Sequence, residues 1–152
     1  MIFSIVLAVF LLDQLTKFFF TKILPLGSSF PVVKGVFHLT LVHNRGAAFG
    51  ILKGQVPVFI LTSLLAIILI FANFNKHRHK KLYSAALSLV LAGALGNLAD
   101  RLFFGYVVDF LDFRVWPVFN VADCAITVGA ILLGLAMLKE KDQKGCSLKS
   151  AG

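Results

Sequence analysis

Four apolar windows, at about 2–20, 56–74, 82–99 and 121–138, each approach the roughly 20 residues an α-helix needs to cross a hydrocarbon layer. Together they take up about half of the 152-residue chain, which leaves too little for a separate soluble core. Charged residues make up 14% of the chain, against about 25% in soluble proteins, and hydrophobic residues 59%. These windows predict one integral membrane domain over residues 1–152, mainly α, with four transmembrane helices.

The net charge of +8 is unevenly placed. Lys76, Arg78, Lys80 and Lys81 lie between the second and third windows, and Lys139, Lys141, Lys144 and Lys149 follow the fourth. Basic flanks of this kind mark the cytoplasmic side, so both termini are expected there and the 21–55 and 100–120 regions outside. They supply no basic face on a folded unit, and no nucleic acid is expected as a partner. The first window has no basic leader and no small-residue cleavage site, and it carries Asp13 and Lys17 near its far end, so it reads as a retained span. Cys124 and Cys146 fall at opposite ends of the last span, roughly 33 Å apart along a helix, too far for a disulfide. Residues 139–152 read as a short, poorly ordered cytoplasmic tail.

Polar residues within or beside apolar spans are costly, and each needs a reason. Asp13 stands at helical spacing from Thr16 and Lys17, which fits a local ion pair, support of an active site, or both. Pro25 to Pro31 breaks the chain, and 36–42 alternates like a strand. Asn44-Arg45-Gly46-Ala47-Ala48-Phe49-Gly50 can approach another backbone closely, with Asn44 able to donate and accept at once; a plain turn is equally consistent. His38 and His43 read as surface or interface residues, and the 75–81 segment as a solvated basic loop. His77 and His79 lack a carboxylate or cysteine beside them, so neither metal nor cofactor is expected.

In the third window Ser88, Ala92, Gly96 and Asp100 recur every four residues, with Gly93 and Asn97 alongside, a small-residue face suited to close helix contact. Asp123, Thr127, Ala130 and Gly134 form the stripe expected to face it. Between them, 103–113 looks extended, with Asp112 placed to pair with Arg114 and Trp116-Pro117 suited to an interfacial turn.

Asp109 and Asp123 are the candidate chemistry. Each reads equally as a solvated interfacial acid, with Asp123 favoured by the helix dipole, or as a member of an acid/base pair; proton-coupled transport and a membrane scaffold are further alternatives. If the two meet, one holds a proton and the other activates water against an amide, without metal or nucleophile. No zinc-peptidase or serine-hydrolase motif is present, and Ser28 or Ser29 with Lys34 is a weak serine–lysine candidate.

Five motifs occur in order: Asp13-Gln14-x-Thr16-Lys17, Asn44-x-Gly46-Ala47-Ala48-Phe49, Gly96-Asn97-x-x-Asp100-Arg101, Val107-Val108-Asp109-Phe110 and Phe119-Asn120-x-Ala122-Asp123. Together, from Asp13 to Thr127, they resemble the motif set of the bacterial lipoprotein signal peptidases, the type II signal peptidase family. The resemblance implies an aspartyl endopeptidase of the bacterial cytoplasmic (inner) membrane. It would cut signal peptides from prolipoproteins just before a diacylglyceryl-modified cysteine. The catalytic pair would be Asp109 and Asp123. Asn44, Asn97, Arg101 and Asn120 match positions that shape the site or bind substrate; Asp100, Asp13 and, in the same motif, Lys17 match supporting ones. The resemblance also implies a small extracytoplasmic β-cradle, a site near the outer face, membrane lipids and lipid-modified prolipoproteins as partners, and inhibition by globomycin. Cys124 reads as packing, not as a nucleophile.

Overall fold

The computed structural model describes residues 2–46, 54–77 and 79–149, with 75–77 and 141–149 given by helical backbone alone. Along the chain run α1 (Ile2–Ile23), β1 (Ser29–Val33), β2 (Phe37–Asn44), α2 (Val56–His77), α3 (Lys81–Phe104), β3 (Val107–Asp112) and α4 (Val121–Lys149). Each helix contains a stretch long and apolar enough to cross a membrane. The expected architecture of four apolar helices with a small sheet is therefore present. Residues 47–50 of the Asn44 motif lie outside the described residues.

The helices run past their apolar windows, because charge at a helix end does not break it; a backbone signal does. α1 continues to Ile23, just before Pro25. α3 continues to Phe104, so Phe103 and Phe104 are helical, not extended as expected. It stops at Gly105, whose φ of 74° is the left-handed conformation glycine adopts readily, with its N–H bonded to Arg101 O at 3.1 Å. α2 reaches His77 and α3 begins at Lys81, so both ends of the expected basic loop, 75–77 and 81, are helical. α4 reaches Lys149, so most of the expected tail is helix, and Glu140 pairs with Lys80 at 2.6 Å.

The three strands form one antiparallel sheet in the order β1-β2-β3. β1 was not expected, because Pro31 lacks the N–H of a central strand; it is tolerated here on an edge strand. β2 pairs Asn44 with Val107 and Val42 with Asp109. Leu111 also bridges Phe119, which brings the chain back beside β3 just before α4 begins.

α3 is the central helix, with 67% of its apolar stretch buried against 11% for α1 and 6% for α2. Its expected small face holds: Ser88, Ala92, Gly93, Gly96 and Asn97 are all buried. The matching face of α4 does not. Thr127, Ala130 and Gly134 are exposed, and the contact runs through Ala122, Ala125 and Gly129, one residue round the helix. Both stripes are small enough to serve, and this choice leaves Asp123 on the flank of the contact. A Cβ at Gly93 would collide with the Ala122 carbonyl oxygen and lie 2.7 Å from Ile126 Cγ1. Gly93→Ala is therefore expected to force α3 and α4 apart at a cost of about 1–3 kcal/mol, read as a lower unfolding temperature in detergent.

An apolar core of Ile70, Tyr83, Leu87 and Leu91 fills the bundle near the start of α3. Toward the other end of α3 the usual pattern inverts. Asp13, Asp100, Asp109 and Asn120 are buried at 2% exposure or less, while Leu15, Phe18, Leu61 and Phe103 stand more than 60% exposed. Such a surface suits lipid, and the buried acids gather in one place.

Candidate active site

The two acids of the site come from the chain segments that flank the loop after β3, and β2 and α3 add their partners. Asn120 stands just before α4; its Oδ1 accepts the N–H of Asp123 at 2.9 Å, and Asp123 Oδ2 accepts the N–H of Asn120 at 3.3 Å. This reciprocal arrangement satisfies two amides that a helix start leaves open. Asp123 is thus the helix-start acid that its position suggests, yet its carboxylate also faces a cavity.

Asn120 then reaches β3. Its Nδ2 donates to Asp109 Oδ1 at 2.7 Å and lies 3.1 Å from Asn97 Oδ1. Asn44, at the end of β2, donates to the other Asp109 oxygen at 2.9 Å, while its own Oδ1 accepts the N–H of Gly46. Asn97, on the buried face of α3, donates to Asp123 Oδ1 at 2.8 Å. Every carboxylate oxygen of the two acids accepts an N–H. No direct hydrogen bond joins Asp109 to Asp123; Asn120 links them, where the sequence reading has them in contact.

Both acids line a cavity of about 280 Å³, together with Asn44, Asn97 and Arg101. Phe59 and Trp116 form part of its wall. The Arg101 guanidinium lies 5.1 Å above the Phe59 ring and donates to Asn97 O at 3.4 Å. A larger cavity of about 810 Å³ touches Lys17 and Asp100 but reaches neither Asp109 nor Asp123.

Two acids on β3 behave oppositely. Burial, reinforced by the negative charge of Asp123, pushes the Asp109 carboxyl up to about 7, against the hydrogen bonds of Asn44 and Asn120 and the charge of Lys17. Burial also acts on Asp112, but hydrogen bonds from Thr40 and Arg114, with the Arg114 charge, outweigh it and hold that carboxyl low. Asp112 pairs with Arg114 at 3.1 Å, as its spacing suggests, and lies outside the cavity.

The supporting residues converge behind the acids. Lys17 lies 2.8 Å from Asp13 and 2.9 Å from Asp100, and donates to Asn97 at 3.1 Å, so the local pair and the supporting role are both present. Gln14, in the same motif as Asp13 and Lys17, has its Nε2 3.1 Å from both Asp13 and Asp100. The available signal was an amide next to an acid in an otherwise apolar helix. Phe59 gave no such signal, being one apolar residue among many in α2. Cys124 is exposed and does not line the cavity, so it is not the packing residue expected. His38 hydrogen-bonds Ser29 and His43 stacks on Tyr106 at 3.8 Å, both away from the two acids.

The family model "Signal peptidase (SPase) II" matches residues 5–139. A lipoprotein signal peptidase of Halothermothrix orenii is 45% identical over 141 residues, covering 93% of this chain and 97% of its own. One of Moorella thermoacetica is 48% identical over 140 residues, covering 91% and 93%. A bacterial membrane enzyme solved by the in meso method at 2.3 Å superposes with a TM-score of 0.88 at 36% identity, covering 94% of this chain and 90% of its own. With a family match across most of its length and four helices able to span a membrane, this chain belongs to the signal peptidase II family of membrane-bound aspartic peptidases.

Proposed function

We propose that the protein removes the signal peptide from diacylglyceryl-modified prolipoproteins, cutting just before the lipidated cysteine, with Asp109 and Asp123 as the catalytic pair. The observation that carries this reading is that two acids from different elements, each held by amide N–H groups, open onto one cavity beside an arginine. The pair holds one proton between its two carboxyls; with that proton on Asp109, Asp123 takes one from water. The water oxygen bonds to the scissile carbonyl carbon. The C–N bond then breaks as Asp109 gives its proton to the leaving cysteine nitrogen, and the two acids exchange protonation states. Arg101 and Asn97 are placed to meet the carbonyl oxygen, and Asn44 to hold the peptide extended. The apolar exterior leaves acyl chains in lipid while the scissile bond enters the cavity.

The basic residues flanking α2, α3 and α4 support cytoplasmic termini and a site near the outer face, within a single peptidase domain. The direct test incubates the purified protein with a diacylglyceryl-modified precursor, an unmodified one, and globomycin. Cleavage of the lipidated precursor alone, blocked by globomycin, is the expected outcome; equal cleavage of both precursors would remove lipid recognition from the proposal.

A further inference from the structure

Asp13 and Asp100 are buried acids that do not line the cavity of Asp109 and Asp123, yet each holds one backbone amide. Asp100 Oδ2 accepts the N–H of Val108 at 3.0 Å, and Asp13 Oδ1 accepts the N–H of Ala122 at 2.8 Å. Those amides belong to the residues immediately before Asp109 and Asp123. We infer that Lys17, with Gln14 beside it, is a positioning residue that sets the separation of the two catalytic acids by tying these anchors together.

The geometry leaves the lysine no spare hydrogen. Its three N–H groups meet three acceptors, on Asp13, Asp100 and Asn97, and Asn97 in turn holds Asp123. Lys17 is 3% exposed, Asp13 0% and Asp100 1%. Without the ammonium, two buried carboxylates would repel across the seam between α1 and α3. Each would carry its anchored amide with it, so β3 and the start of α4 would separate. Gly96 shows how tightly the seam closes, since a Cβ there would lie 2.5 Å from Asp13 Oδ2. Gln14 adds a second bridge between the same two acids. Lys17 and Gln14 line the larger cavity and not that of the two acids, whereas the groups that would hold the scissile peptide, Asn44 and Arg101, line the latter. Displacing the acids should therefore slow the chemical step and leave substrate binding alone.

This inference rests on Asp109 and Asp123 being the catalytic pair, and its test separates the two ideas. The full-length protein would carry Lys17→Met, Lys17→Met/Asp100→Asn or Gln14→Leu, with Asp109→Asn alongside, and kcat, KM and unfolding temperature would be measured on a lipidated precursor. Lys17→Met should lower kcat about 100-fold, the scale of a 1 Å misplacement, with KM unchanged within about twofold. It should also lower the unfolding temperature. In the double variant the repulsion between the two acids is gone, although Asp13 stays charged, and the asparagine oxygen still accepts from Val108. Its unfolding temperature should return toward the parent's while kcat stays about 100-fold low. Gln14→Leu, which leaves the ion pairs intact and decides the matter if Lys17→Met does not fold, should lower kcat about 10-fold at unchanged KM. Recovery of kcat together with stability in the double variant, or full kcat in Gln14→Leu, overturns the positioning role. An active Asp109→Asn overturns the catalytic pair and this inference with it.

Discussion

Asp109→Asn and Asp123→Asn are each expected to lower kcat on a lipidated precursor by about 10³- to 10⁴-fold, the upper part of the range for losing a general acid or base. Asparagine keeps the shape of the side chain and an oxygen for one N–H, so membrane insertion should be unaffected. Cleavage at the parent rate by either variant would remove that residue from the mechanism. Asp109→Asn carries a second expectation, opposite in sign. In the fold Asp109 keeps its proton up to about 7, whereas its ordinary value is 3.8. Between those values the folded chain binds a proton that the unfolded chain has released, so the side chain destabilises the fold increasingly as pH rises from about 4 to about 7, and by a constant amount above. Asparagine has nothing to release. The stability of the variant relative to the parent should rise across that window by on the order of a few kcal/mol, and level off beyond it. Denaturation at pH 4, 5.5 and 8 would show it; a difference that shrinks with pH would mean that burial does not hold the proton on Asp109.

Asn120→Ala should be the most damaging change that leaves every acid in place. The side chain is fully buried and serves three segments at once: it holds Asp109, contacts Asn97 and caps the Asp123 amide. Losing the cap costs about 1 kcal/mol, and stripping a partner from buried polar groups about 1–3 kcal/mol more. The Asp109 carboxylate would also lose one of its two donors and the Asp123 backbone amide its acceptor, so kcat should fall about 100-fold beyond any loss of folded protein. Active-site titration with a tight inhibitor would separate the two effects. A kcat per folded site within threefold of the parent would reduce Asn120 to a helix cap.

The features set by long runs of sequence are legible in the sequence itself. Four windows gave four helices, alternation over 36–42 announced β2, and Gly105 announced a break. What remained hidden depended on choices between nearly equal local options. α4 presents two adjacent small-residue stripes, and the packing of Ala122 against Gly93 and of Gly129 against Ala86 decides between them. β1 was concealed by Pro31, which argues against a strand unless its edge position is known. At the site, spacing alone left Asp109 and Asp123 open to several roles, since an acid at a helix start needs no catalytic reason. Their convergence comes from tertiary contacts such as Asn44 with Asp109, 65 residues apart. A direct hydrogen bond is the natural expectation for a proton-sharing pair, and in the structure Asn120 bonds to both residues instead.

The hydrogen bond from Ala122 to Asp13 spans 109 residues and has a consequence for biogenesis. As the ribosome delivers the spans one after another, α1 enters the bilayer long before its eventual partner on α4 exists. During that wait Lys17, one turn along the same helix, can neutralise Asp13 within α1 itself. The first span thus brings its own counter-ion for the journey, and the proposed pairing of Asp109 with Asp123 requires the last span to be threaded. A nascent chain released early would be inserted, tolerated by the lipid and inert.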